Sequence, residues 1–245
     1  MVKKKRFLLK GSGVKGEYWG NEASGRVIIF SHGFGVKRDS RGMFTDLGEL
    51  LKDDCLVVLF DYVDVNKDGS TTAYSFSEQA EKLKAVISYI RNKFDPERVE
   101  IVAHSQGCII VGLVSPEGVD KVVLVAGPIS APGQGMKDYF SQREGTIINK
   151  DKVSQIKRSD GSLTFVPPEY WEEARRVNPA ALYKKLAEKS RVSFLRVRQD
   201  QMVVGENYSL LREGGRVGYF ELDGNHDFEN EARKPFLEKI VFLLK

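Results

Sequence analysis

The chain has 245 residues but only two cysteines and three histidines. Cys55 and Cys108 cannot make a disulfide framework, so they are expected as buried free thiols. No apolar run approaches the ~18 residues that a membrane-spanning helix needs. The basic start, Lys3, Lys4, Lys5 and Arg6, is followed only by Phe7, Leu8 and Leu9, too short an apolar stretch for a signal peptide. Charge of one sign is also scarce: the net charge of +4 is spread along the chain, and no basic segment is interleaved with aromatics. Nucleic-acid and membrane partners are therefore not expected, and the composition reads as a soluble, cytoplasmic protein. Internal repeats and low-complexity segments are missing as well.

A hydrophobic content of 41% is enough for a full core, and the order of the elements defines its type. Residues 5 to 19 alternate around Gly11, Gly13 and Gly16, as an antiparallel hairpin at a sheet edge would. Residues 26–30 (RVIIF), 55–60 (CLVVLF), 99–104 and 121–126 are short continuous apolar runs, the mark of strands buried on both faces. Helical spacing runs from Met43 to Leu51 and from Phe76 to Phe94, the latter with Ser77 as N-cap. Strand and helix resume after 178, with helices at 179–189, around 203–212 and from Glu229 to Leu244, and strands at 192–198 and 216–222. This alternation predicts an α/β fold with a mostly parallel sheet. The rhythm breaks between Gly127 and Asn178. There Asp160-Gly161 signals a hairpin between 153–156 and 163–166, and a long stretch without sheet rhythm reads as an inserted lid. The expected division is a core over 1–127, a lid over 128–178 and the rest of the core over 179–245.

Residues 102–107 read VAHSQG, where an apolar strand stops and a second apolar run begins at once. This is the G-x-S-x-G elbow with Ala103 in the first glycine position: Ser105 stands at the apex of a turn so tight that residues two before and two after it must be small. The turn would expose Ser105 Oγ above the sheet and leave the Gln106 N–H at a helix start. A serine needs a base, and the base needs a carboxylate. His104 is next to the serine and would project away from it, and His32 belongs to a Gly-rich loop. His226 lies just past the last strand, where ligands of open α/β sheets gather. Asp200 follows the preceding strand, so Ser105, Asp200 and His226 form the candidate catalytic set in the order known for one fold.

With these residues in place the chain resembles the α/β-hydrolases over nearly its whole length, through SHGFG at 31–35, VAHSQG at 102–107 and DGNHDF at 223–228. Within that superfamily it is most similar to cinnamoyl or feruloyl esterases and monoglyceride-lipase-like enzymes, which carry a small lid after the sixth strand. The resemblance implies that Ser105 attacks an ester carbonyl, that His226 shuttles the proton, and that Asp200 orients the histidine. It further implies that the backbone N–H groups of Phe34 and Gln106 form the oxyanion hole, and that no cofactor or metal is required. A small-molecule ester is the expected partner, with the lid aromatics Tyr139, Phe140, Phe165, Tyr170 and Trp171 lining its pocket. A catalytically idle binding protein, or a thioesterase, lactonase or amidase on the same triad, are the alternatives. One departure from the family pattern needs a separate reading: Asp64, Asn66, Asp68 and Gly69 stand at calcium-loop spacing, but Ser75 occupies the position of the bidentate Glu. A solvated turn is expected there.

Overall fold

The computed structural model describes residues 3–213 and 215–245. In chain order its elements are β1 (Lys5–Leu9), β2 (Val14–Gly20), β3 (Arg26–Ser31), α1 (Met43–Leu51), β4 (Leu56–Phe60), β5 (Asp64–Val65), β6 (Thr71–Thr72), α2 (Phe76–Phe94), β7 (Arg98–His104) and α3 (Gln106–Val114). The second half continues with β8 (Lys121–Val125), α4 (Gly133–Ser141), β9 (Ser154–Lys157), β10 (Leu163–Val166), α5 (Pro168–Arg176), α6 (Pro179–Leu186), β11 (Arg191–Val197), α7 (Ser209–Arg212), β12 (Val217–Leu222) and α8 (Arg233–Leu244).

The main sheet has eight strands in the order β1-β2-β4-β3-β7-β8-β11-β12. Strands β1 and β2 are antiparallel to their neighbours, and every other pairing is parallel. Its central strands are buried on both faces, which explains their unbroken apolar runs. Alternate residues feed two separate cores: Val27 and Ile29 of β3 pack on the side of α2, α3 and α6, whereas Ile28 and Phe30 pack on the side of α1 and α8. At the lower edge Arg26, Arg98 and Lys121 all donate to the Leu244 carbonyl, cations meeting the negative end of α8.

Three boundaries differ from the sequence reading. The N-cap of α2 is Ser75, in a capping box with Glu78, because Ser77 is drawn to Glu173 of α5 by two hydrogen bonds of 2.6 and 2.8 Å. The expected helix around 203–212 shrinks to Ser209–Arg212: Gly205 takes a positive φ of 71°, and Asn207 Oδ1 accepts from the Ser209 N–H and hydroxyl. Helix α8 starts only at Arg233, after Phe228 and Asn230 adopt φ values of 48° and 56°.

Segment 128–178 follows β8, the sixth main-sheet strand along the chain. Its hairpin β9–β10 does not stand alone. Strand β10 pairs with β6, so β5-β6-β10-β9 form a second sheet built from two distant stretches. The calcium-like loop is thus the β5–β6 hairpin, and its Asp64, Asn66 and Asp68 side chains are engaged by protein groups. Asp64 accepts from Tyr74 Oη, Asp68 from the Ser70 N–H and hydroxyl, and the Asn66 amide donates to Ser70 and Thr72.

Candidate active site

Ser105 has φ 55° and ψ −125°, a backbone conformation that a non-glycine residue adopts only under constraint. The constraint comes from both sides of the elbow. The Ser105 N–H donates to Val125 O at 2.8 Å, tying the apex to β8. Gly107 lies so close to the strand-β3 exit that a Cβ there would sit 2.3 Å from Ser31 O and 2.7 Å from His32 O. Ala103 is fully buried, which shows that a single methyl fits the first small position.

The structure brings the three candidate catalytic residues together from three strand ends. Ser105 Oγ lies 2.9 Å from His226 Nε2, and His226 Nδ1 lies 2.8 Å from Asp200 Oδ2. A carboxylate can only accept here, so Nδ1 carries the proton and Nε2 presents its lone pair to the serine hydroxyl. The other Asp200 oxygen accepts from the Met202 and Val203 N–H groups at 2.8 and 2.9 Å. Burial pushes the Asp200 carboxyl up, but His226 and these two amides outweigh it, and the group is held below the usual carboxylate range.

His104 and His32, set aside as catalytic candidates, support the site from behind. His104 Nε2–H donates to the His226 carbonyl at 2.8 Å. Burial and the neighbouring His226 depress the His104 ring to about 4, so it is neutral at pH 7. His32 is fully buried. It donates from Nδ1 to Gly33 O at 2.9 Å and accepts the Tyr62 N–H on Nε2 at 2.8 Å. That pairing holds the loop leading to Phe34. Among the described residues, neither the Phe34 nor the Gln106 N–H is hydrogen-bonded to another backbone group, and both residues line the cavity at Ser105. The Gln106 side chain is turned away: it donates to Gln79 Oε1 at 2.7 Å and accepts from the Tyr170 hydroxyl. His104, His226 and Asp227 also approach one another closely enough to suggest a metal site, yet both nitrogens of His226 are already engaged by Asp200 and Ser105. Cys55 and Cys108 are buried and free; burial pushes the Cys55 thiol up to about 12.

Of the five aromatics expected to line the pocket, Tyr139 and Phe140 do so and Phe165, Tyr170 and Trp171 do not. Tyr170 is fully buried and spends its hydroxyl on Gln106, Trp171 donates to Ser154 Oγ at 3.0 Å, and Phe165 is held in β10 opposite Thr72. Tyr170 and Trp171 pack segment 128–178 onto the core instead of facing a ligand, and Phe165 stays half-buried on the second sheet. Sequence reasoning missed the residues that take their place: Arg41, Arg143 and Arg158 on one side of the cavity, Met136 and Val203 on the other, and Met202 on both.

A strained serine at a strand-to-helix turn, with a histidine and a carboxylate in line behind it, thus stands at the C-terminal ends of the strands of a mostly parallel sheet. A family model described as the alpha/beta hydrolase fold matches residues 26–194, and the chain belongs to that family. Sequence comparison with curated proteins gives no match. Among solved structures it is similar to an esterase domain from Rhodothermus marinus, with a TM-score of 0.68 at 17% identity over 98% of this chain and 96% of that one. It is likewise similar to Est1E from Butyrivibrio proteoclasticus, with 0.70 at 14% identity over 98% of both chains. The hydrolase GrgF from Penicillium sp. sh18 gives 0.72 at 13% identity over 100% and 98%. At these identities the likeness is one of fold.

Proposed function

We propose that the protein is a serine esterase that hydrolyses carboxylic esters through an acyl-enzyme on Ser105. The observation that carries this reading is the unbroken hydrogen-bonded line Asp200, His226, Ser105 at the floor of a cavity. A pure binding protein has no need for that line, and the strain at Ser105 is worth keeping only where its hydroxyl must be presented. In the proposed reaction His226 Nε2 takes the serine proton as Oγ attacks the ester carbonyl. The Phe34 and Gln106 N–H groups then hold the oxyanion, helped by the N-terminus of α3. His226 passes its proton to the leaving alcohol, and water attacks the acyl-enzyme by the same route in reverse. Segment 128–178 acts as the lid, with Tyr139 and Phe140 over the acyl and alcohol sites. The feruloyl-type preference draws support only from the fold shared with Est1E, which has also been solved with ferulic acid bound.

Labelling with a fluorophosphonate probe tests the reading. Wild-type protein is expected to label and Ser105→Ala is not; a wild-type protein that fails to label defeats the proposal. A panel of p-nitrophenyl esters of increasing chain length, with methyl ferulate and a thioester added, then separates ester from thioester specificity.

A further inference from the structure

The cavity at Ser105 has two lobes of opposite character. The larger, of about 580 Å³, is lined by Ile109, Pro128, Met136 and Val203; the smaller, of about 180 Å³, is lined by Arg41, Arg143 and Arg158 and by His226. Ser105 and Phe34 line both.

Arg158 is the unexplained residue. It follows β9 and is only 9% exposed, yet its Nη1 is buried with no hydrogen-bond partner among the described residues. No ion pair is formed by its guanidinium among the described residues, although Asp227 and Asp160 act on it through space. Instead it lies over the rings of Phe34 and Phe140, at 5.4 and 5.6 Å. Arg143 lies over Tyr139 and Phe140 and donates to Tyr139 Oη at 2.8 Å, also without a carboxylate. Arg41 is paired with Asp227 at 3.3 Å. A buried charge without a counter-ion is costly, so a cluster of this kind is best explained by an anion that arrives with the substrate. Burial lowers Arg158 to about 10, which leaves it charged at neutral pH.

Charge balance and catalytic geometry narrow the anion. Three guanidiniums face two carboxylates, Asp227 and Glu229, in the same lobe, so a single negative charge completes it. His226 must give its proton to the leaving oxygen, and it lines only the arginine lobe, so the alcohol half belongs there. We propose that the substrates are esters of an apolar acyl group with a hydroxy acid, the alcohol's free carboxylate seated against Arg158 and Arg143. This rests on the esterase reading. The chemistry is unchanged: the acyl C–O bond breaks as the Ser105 ester forms, the His226 proton goes to the departing alkoxide, and the carboxylate stays a spectator.

The test compares kcat/KM for the hexanoyl ester of glycolic acid with that of glycolamide, its uncharged isostere. Wild-type enzyme is expected to prefer the carboxylate at least 10-fold, Arg158→Lys to keep part of the preference, and Arg158→Met to bring the ratio near one. Should Arg158→Met not fold, Arg143→Met takes its place. A wild-type ratio of one or below, a ratio untouched by both Met variants, or a preference for monoethyl adipate, whose carboxylate is on the acyl half, overturns the proposal. Neutral p-nitrophenyl hexanoate separates the two levels. If it is hydrolysed while the ratio is flat, only the anion site fails; if it is not hydrolysed and Ser105 does not label, the esterase reading fails too.

Discussion

The His104 imidazole, one residue before the serine, donates its Nε2–H to the main-chain carbonyl of His226 at 2.8 Å. The elbow therefore also fixes the backbone of the loop that carries the proposed base. His104→Ala is expected to lower kcat about tenfold with little change in KM, the cost of a mispositioned base. Gln, whose amide nitrogen extends as far as the imidazole Nε2, should restore part of it.

The same residue makes stability depend on pH. Burial and the adjacent His226 hold His104 at about 4, against 6.5 when unfolded. Between these values the unfolded chain binds a proton that the folded chain does not, so this stability is complete above pH 6.5 and lost as pH falls toward 4. Buried His32, also lowered, acts in the same direction. For His104 the loss is of order 2–3 kcal/mol. Thermal melts at pH 7 and 4.5 should differ less for His104→Asn than for wild type; an unchanged difference would count against the assignment.

Asp200→Asn separates charge from shape. The side-chain oxygen that accepts from the Met202 and Val203 amides can remain, while the new amide faces His226 Nδ1 and forces its proton onto Nε2. A neutral ring in that tautomer cannot take the Ser105 proton. The expected result is a fold-neutral variant whose kcat is lower by roughly 10³–10⁴, measured on a p-nitrophenyl ester.

Gly107→Ala places a methyl 2.3 Å from Ser31 O, and that neighbour is backbone that cannot rotate aside. The elbow and the β3 exit must move apart. A loss of at least 1–3 kcal/mol is expected, with fluorophosphonate labelling of Ser105 reduced further than the melting temperature alone would suggest.

Arg158→Met should stabilise the protein. It removes a desolvated charge and keeps apolar contact with Phe34 and Phe140. Because folding lowers this guanidinium from 12.5 to about 10, the cost is fully present below pH 10 and fades above it. A gain of about 1–2 kcal/mol, roughly 2–8 °C in Tm, is expected, constant from about pH 6 to 9. A lower Tm would mean that Arg158 is a structural residue.

Local pattern alone determined a good deal. Buried strands of a parallel sheet cannot alternate, so β3, β4, β7 and β8 announce themselves as apolar runs, and the residues just past them are the ones a ligand can reach. That Ser105, Asp200 and His226 lie just past strand ends was legible for that reason, and the fold brings them into contact. So was the β9–β10 hairpin, whose Asp160-Gly161 turn is a local signal.

Tertiary structure decided the rest, because it depends on pairs far apart in sequence. Nothing in Thr71 or Thr164 foretells that β6 and β10 join two distant hairpins into one sheet, and that sheet carries Arg158 to the cavity. Aromatic residues inside an insertion look alike whether they face a ligand or the core; only packing assigned Tyr139 to the cavity and Tyr170 to Gln106. Composition could not reveal the arginine lobe either, since charge in a sequence carries no information about which charges go unpaired once the chain is folded.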